Sequence, residues 1–135
     1  MNQNINITSF TKNEIMTEKE KFIRELNDAF AKGDVPYILN CMAEDIVWEM
    51  IGGNTSRGKA EIEKEMATME DIEMLEMKVD KIITHGKSAA SNGTFRLKKN
   101  GKEKAYGFCD LYEFNGFKNA KVKKMTSYVI PLKEE

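Results

Sequence analysis

The dipeptide Asn100-Gly101 stands between two runs of strand-forming residues, Ser88 to Lys99 and Ala105 to Phe114, and it constrains the fold more than any other feature of the chain. Asn-Gly readily adopts the left-handed backbone that a two-residue hairpin turn needs, so Ser91 to Leu97 should lie antiparallel to the second run. Side chains alternate between the two faces of a strand. In the second run that puts Tyr106, Phe108, Asp110, Tyr112 and Phe114 on one face, with Gly107, Cys109, Leu111 and Glu113 on the other. One carboxylate among four aromatics marks the polar centre of an otherwise apolar wall.

Two further strand-like runs flank this hairpin. Ile72 to Thr84 precedes it and ends at His85-Gly86-Lys87, and a last strand follows Asn115-Gly116 and stops before Pro131. Upstream, the apolar period changes to that of a helix. Thr17 followed by Glu20 forms a capping box, and Phe22, Ile23, Leu26, Ala29 and Phe30 recur at helical spacing until Gly33, which predicts a helix over about 18–32. Asp34 caps a second, shorter helix, with Pro36 in its tolerated first turn and Ile38, Leu39, Cys41 and Met42 as its apolar surface.

Ile46 to Ile51 reads as a short strand ended by Gly52-Gly53, with Trp48 and Met50 on one face and Glu49 on the other. Gly58 then precedes a charged helix from Lys59 to about Met69, whose Ile62, Met66 and Met69 mark the buried side. Helices followed by an antiparallel meander predict an α+β domain, the helices packed on one face of a curved sheet. Residues 1–15, rich in Asn, Thr and Ser, read as a flexible lead-in, and 16–132 as one domain.

Composition removes several classes of function. With 21 basic and 22 acidic residues among 135, the net charge of -1 offers no field that would gather nucleic acid or an anionic membrane. Lys98, Lys99, Lys102 and Lys104 cluster at a hairpin tip without an aromatic platform and read as a solvated turn. No apolar run reaches the ~20 residues of a membrane span, and the first residues lack the pattern of a signal peptide, so the expected location is the cytoplasm. Cys41 and Cys109 fit neither a metal-ligand spacing nor a disulfide framework. His85 is the one histidine and falls in a turn, so neither a zinc site nor a Ser-His-Asp arrangement has its ligands or partners, and no metal or cofactor is expected.

The strings FAKGD (30 to 34), AEDIVWEMIGG (43 to 53), RGKAEI (57 to 62), YGFCDLYEF (106 to 114) and KVKKMTSYV (121 to 129), in this order and spacing, resemble the nuclear transport factor 2-like superfamily and its SnoaL-like, ketosteroid-isomerase-like branch. The resemblance covers about 20 to 130. It implies a cystatin-like, cone-shaped barrel in which a strongly curved, mostly antiparallel sheet and the N-terminal helices enclose one deep pocket, in a homodimer paired through the outer sheet face. Taken residue by residue, it puts Asp110 at the position of the protonated acid of ketosteroid isomerases, but Met50 where their base stands and Leu26 where their tyrosine stands. A thioether cannot accept a proton from carbon and leucine cannot donate to an oxyanion, so the isomerase mechanism of that branch lacks two of its three groups. The single His and the lack of a second acid also depart from scytalone dehydratase-like and limonene epoxide hydrolase-like members.

The expected pocket wall combines Phe108 and Tyr112 with Gly93 and Phe95 of the hairpin partner, Trp48 and Met50 of the first strand, and Leu26, Phe30 and Met66 of the helices. The family alignment adds Met125, Ser127 and Val129 from the last strand. Burial among aromatics should raise the pKa of Asp110 unless a donor or cation compensates. Three readings stay open: a module that binds a small apolar molecule with Asp110 as its polar centre; an acid-base isomerase, cyclase, dehydratase or hydrolase of a carbonyl-type substrate with Asp110 as general acid or base; and a dimeric interaction scaffold.

Overall fold

A computed structural model describes residues 16–133 of the chain; the lead-in expected over 1–15 lies outside the described residues. Helix α1 spans Glu18–Lys32 and α2 spans Val35–Asn40. Strand β1 (Met42–Met50), the three-residue β2 (Thr55–Arg57) and helix α3 (Gly58–Ala67) follow, and then the meander β3 (Glu73–His85), β4 (Ser88–Lys99), β5 (Lys102–Phe114) and β6 (Val122–Pro131). The order is that of an α+β domain.

The first helix ends where its local chemistry dictates. Thr17 Oγ1 accepts from the Glu20 N–H at 3.1 Å while Glu20 Oε1 accepts from the Thr17 N–H at 2.8 Å, which satisfies two donors that the first turn leaves orphaned. At the other end Gly33 takes φ 71°, a left-handed conformation that lets the next residue turn into α2. Asp34 Oδ1 then accepts from the Tyr37 N–H at 3.2 Å. The two helices thus form a corner.

One sheet holds all six strands in the order β2-β1-β6-β5-β4-β3. Every pairing is antiparallel except that of β1 with β6, where the first strand lies alongside the last. That one parallel contact is available because β2, helix α3 and the strands β3 to β5 separate the pair in sequence. Register shifts in β3, between Met74 and Glu76 and between Val79 and Lys81, bend this edge of the sheet. Gly93 on β4 faces the second shift, where a Cβ would lie 1.9 Å from the Lys78 carbonyl oxygen. Only glycine allows the bent strand to come that close.

The structure departs from the sequence reading at two places in the first half. β1 begins at Met42 rather than Ile46, because Met42 pairs with Val122 across a bulge that carries Glu44 and Asp45 outward. β2 gives no periodic signal in three residues, and it forms by pairing Ser56 with Trp48. The closed end of the cone is packed with Ile23, Leu26, Met42, Ile46, Phe114 and Val122, each no more than 1% exposed. Phe22 meets the edge of Phe114 with ring centroids 5.3 Å apart.

Candidate functional site

Between the concave face of the sheet and the helices lies a cavity of about 620 Å³, within the range of pockets that hold small organic molecules. Its inner end is formed by the buried Trp48, Phe108, Asp110, Met125 and Ser127. Exposed Lys32 and Glu70 also line it and mark its rim. Six of the chain's nine methionines, Met50, Met66, Met69, Met74, Met77 and Met125, supply much of the wall between. Unbranched thioethers give that wall the capacity to reshape around an occupant.

The polar centre arises from strand register. Asp110 on β5 pairs with Ser91 on β4 and with Ser127 on β6, so three polar side chains stand in a row across the sheet. Tyr112, two residues along, presents its ring to the same face. Above this row α1 contributes Asn27, 3% exposed, whose Nδ2 donates to the Ile23 carbonyl at 3.0 Å and to the Tyr112 hydroxyl at 3.3 Å. Ser91 Oγ and the Tyr112 hydroxyl lie 2.8 Å apart, and on the far side Trp48 Nε1 donates to Ser127 Oγ at 2.9 Å. Buried polar groups demand partners, and these have found one another.

Asp110 differs from them in carrying a carboxyl that no cation answers. It is 8% exposed, and among the described residues no ion pair includes it. Burial pushes its carboxyl up from 3.8 to about 6, against the opposing effect of the Ser127 and Tyr112 hydroxyls beside it. Burial also holds the Tyr112 phenol far above its usual range, reinforced by the charge of Asp110. A carboxyl that titrates near neutrality, reaches a cavity and lacks a cation can accept a hydrogen bond, donate one, or exchange a proton with an occupant.

The structure gathers Phe30, Trp48, Met50, Met66, Phe95, Phe108, Asp110, Met125, Ser127 and Val129 on the cavity surface. Three residues expected there stand elsewhere. Leu26, fully buried, points into the closed core, Tyr112 is sealed behind Asp110 with its hydroxyl in the polar cluster, and Gly93 is covered by the backbone of the bent β3. Glu49 faces the opposite side of the sheet, in an open hollow of about 450 Å³ that also takes Asp45, Arg57 and Lys124. It therefore does not supply a second acid to the cavity. Met69 follows α3 in a turn, where it still lines the cavity.

Sequence reading overlooked Asn27 and Ser91. Asn27 does sit one residue after Leu26 on a face where only apolar residues were sought, and a buried-face Asn is itself a signal. The β3 contribution, Met74 and Met77, depends on the bulge between Met74 and Glu76 and has no such signal. Both thiols are free; Cys41 is buried and pushed up to about 11 by desolvation, which makes it a poor nucleophile.

Helices laid across a curved, mostly antiparallel sheet around a cavity define the nuclear transport factor 2-like cone. Structures of the same fold include an NTF2-like protein of unknown function from Cytophaga hutchinsonii, 26% identical, with TM-score 0.65 over 82% of this chain and 98% of that one. A ketosteroid isomerase-like protein from Erwinia carotovora atroseptica (17% identity, TM-score 0.67, 87% of this chain and 98% of that one) and an LEH-like epoxide hydrolase from M. tuberculosis (16%, 0.70, 81% and 80%) share the fold. The model of the SnoaL-like domain matches residues 23–122, and the chain belongs to that family. No curated protein matches the sequence.

Proposed function

We propose that this SnoaL-like domain binds a small, mostly apolar molecule in the cavity, with one polar group of the ligand held at Asp110. The observation that carries this reading is the convergence of an apolar wall on one buried carboxyl that has no cation partner among the described residues. A folded core gains nothing by keeping such a group, because burying it costs stability at neutral pH. The chain's only tryptophan lines the same cavity, so an occupant should change its emission. The test is native mass spectrometry of the protein as purified, together with Trp48 fluorescence during titration with a panel of apolar compounds. A specific retained mass or saturable emission change is expected; a protein that holds and titrates nothing contradicts the proposal.

A second reading, acid-base catalysis on a carbonyl-type substrate, is favoured by the Asp110 carboxyl titrating at about 6. Met50 and Leu26 at the two other positions of the isomerase constellation weigh against it. Turnover by the wild type that disappears in Asp110→Asn would establish it. For assembly we propose a second copy of this chain on the outer sheet face, where exposed Leu111, Tyr128 and Ile130 lie on the neighbouring strands β5 and β6. A monomer in light scattering at tens of micromolar contradicts that arrangement.

A further inference from the structure

We propose that the cavity selects a protonated amine, an apolar molecule carrying one ammonium group, with the Asp110 carboxylate as its counter-ion. This rests on the ligand-binding reading above and narrows its chemistry. The argument begins with the directions of the hydrogen bonds. An indole N–H only donates, so Ser127 Oγ must accept from Trp48, and the one hydrogen of Ser127 is left for the side of Asp110. On the other flank a backbone carbonyl only accepts, so the bond to Ile23 fixes which end of the Asn27 amide points inward: Nδ2, which also approaches Ser91 Oγ at 3.5 Å. With Asn27 donating into the Tyr112–Ser91 pair, one hydroxyl hydrogen of that pair remains for Asp110. Donors flank Asp110 on both sides, an environment built around an acceptor.

An acceptor of this kind repels a carbonyl oxygen or an anionic occupant, since each brings lone pairs to lone pairs. An ammonium group instead supplies the missing charge. Trp48, Phe30, Phe108 and Phe95 line the same cavity, and aromatic rings attract cations in a desolvated site. Among the described residues no cation competes for Asp110: Lys32 at the rim is paired with Asp28 at 2.9 Å, and the remaining ion pairs involve Lys59 and Arg96, outside the cavity wall. Among the described residues, the charged or titratable groups facing the site are Lys32 on α1, Glu70 after α3, and Tyr112 beside Asp110 on β5. Glu70 at the rim adds to the preference for a cation.

Calorimetric titration with a naphthyl-butylamine, and with the alcohol and the ketone of the same carbon skeleton, tests this directly. At about pH 7.5 the amine should bind at least ~10-fold more tightly than either neutral analogue, a difference of about 1.4 kcal/mol. Asp110→Asn should erase the amine's advantage over the alcohol and the ketone. Because the carboxyl titrates at about 6 and the amine stays charged, the advantage should also shrink as the pH falls to about 5. Far-ultraviolet circular dichroism and a melting curve confirm that the variant is folded. An amine no tighter than the alcohol, or an advantage that survives in Asp110→Asn, overturns the cation selectivity and leaves the pocket itself standing. If none of the three compounds binds, both readings fall.

Discussion

Strand β5 runs through two environments that share one sheet and differ in what faces it. Toward its C-terminal end Tyr112 and Phe114 are each 1% exposed and packed by Phe22, Ile23 and Leu26 from α1. Toward the start of the strand, Tyr106 stacks on Phe95 at 5.2 Å and Phe108 opens onto the cavity, with methionines rather than helix-face aliphatics opposite. Asp110 sits at the boundary. The difference teaches how the cone makes a site: α1 seals one end to core density, and the bent β3 with the turn after α3 holds the other end open. A carboxyl among Ile23, Leu26 and Phe114 in the sealed half would lack a solvent path and carry the full cost of burial.

The sharpest way to break that contrast is to truncate one aromatic in each half. Phe114→Ala should cost roughly 3–5 kcal/mol, since the hole cannot be refilled in a packed core, whereas Phe95→Ala, beside an existing cavity, should cost about half as much or less. Urea unfolding followed by circular dichroism measures both, and equal losses would show that the two halves are packed alike. Gly93→Ala comes next. Its methyl would meet the Lys78 carbonyl at 1.9 Å, so β3 must move, at a cost of about 1–3 kcal/mol. If the bend in β3 keeps the cavity open, this variant should also lose affinity for whatever binds there.

How much of this was legible in the sequence follows the same division. The sealed half was readable because its signals are local: the capping box at Thr17 and Glu20, the apolar period of α1, and the alternation that put Tyr106 through Phe114 on one face. The resemblance of short strings extended this to the cone as a whole. What could not be read depends on register. The bulge that lengthens β1 back to Met42, the pairing that creates β2, and the bend that brings Met74 and Met77 over the cavity are set by partners distant in sequence. Tyr112 shows the limit of alternation: it fixes the face of a strand, not whether that face meets a cavity or a helix. The polar cluster was half visible: Asp110 and Ser127 stood out on their strands, Ser91 lay opposite Asp110 on β4 without being singled out, and Asn27 joins only through tertiary contact from α1.

The boundary position of Asp110 predicts an inverted effect, in which removing the charge stabilises the fold. Its carboxyl binds a proton more tightly in the folded protein, at about 6, than in the unfolded chain, at 3.8, so between those values the native state holds more protons. Stability must therefore fall as the pH rises from about 4 to about 6 and level off above, by on the order of 3 kcal/mol from this group alone. At pH 7 Asp110→Asn should be more stable than wild type by about 1–3 kcal/mol, and its melting temperature should lose that component of the pH dependence. A variant less stable than wild type at neutral pH would mean that the flanking hydroxyls compensate the burial fully.

The smallest effect is expected from the wall itself. Met77→Leu keeps the volume and the apolar character of a half-buried cavity side chain, so stability should change by less than about 1 kcal/mol. The consequence should lie in the occupant instead. A branched leucine has fewer rotamers and cannot extend along a ligand as an unbranched thioether does, so successive replacement of Met66, Met74 and Met77 by leucine should narrow the range of ligand shapes accepted while leaving the melting temperature nearly constant. Compounds that match the new shape should keep their affinity, and bulkier ones should lose it. A uniform loss across all shapes would show that the methionines serve as rigid contacts. Unchanged binding across the whole panel would place the ligand against the aromatic strand side alone, with the methionine side of the cone as plain packing.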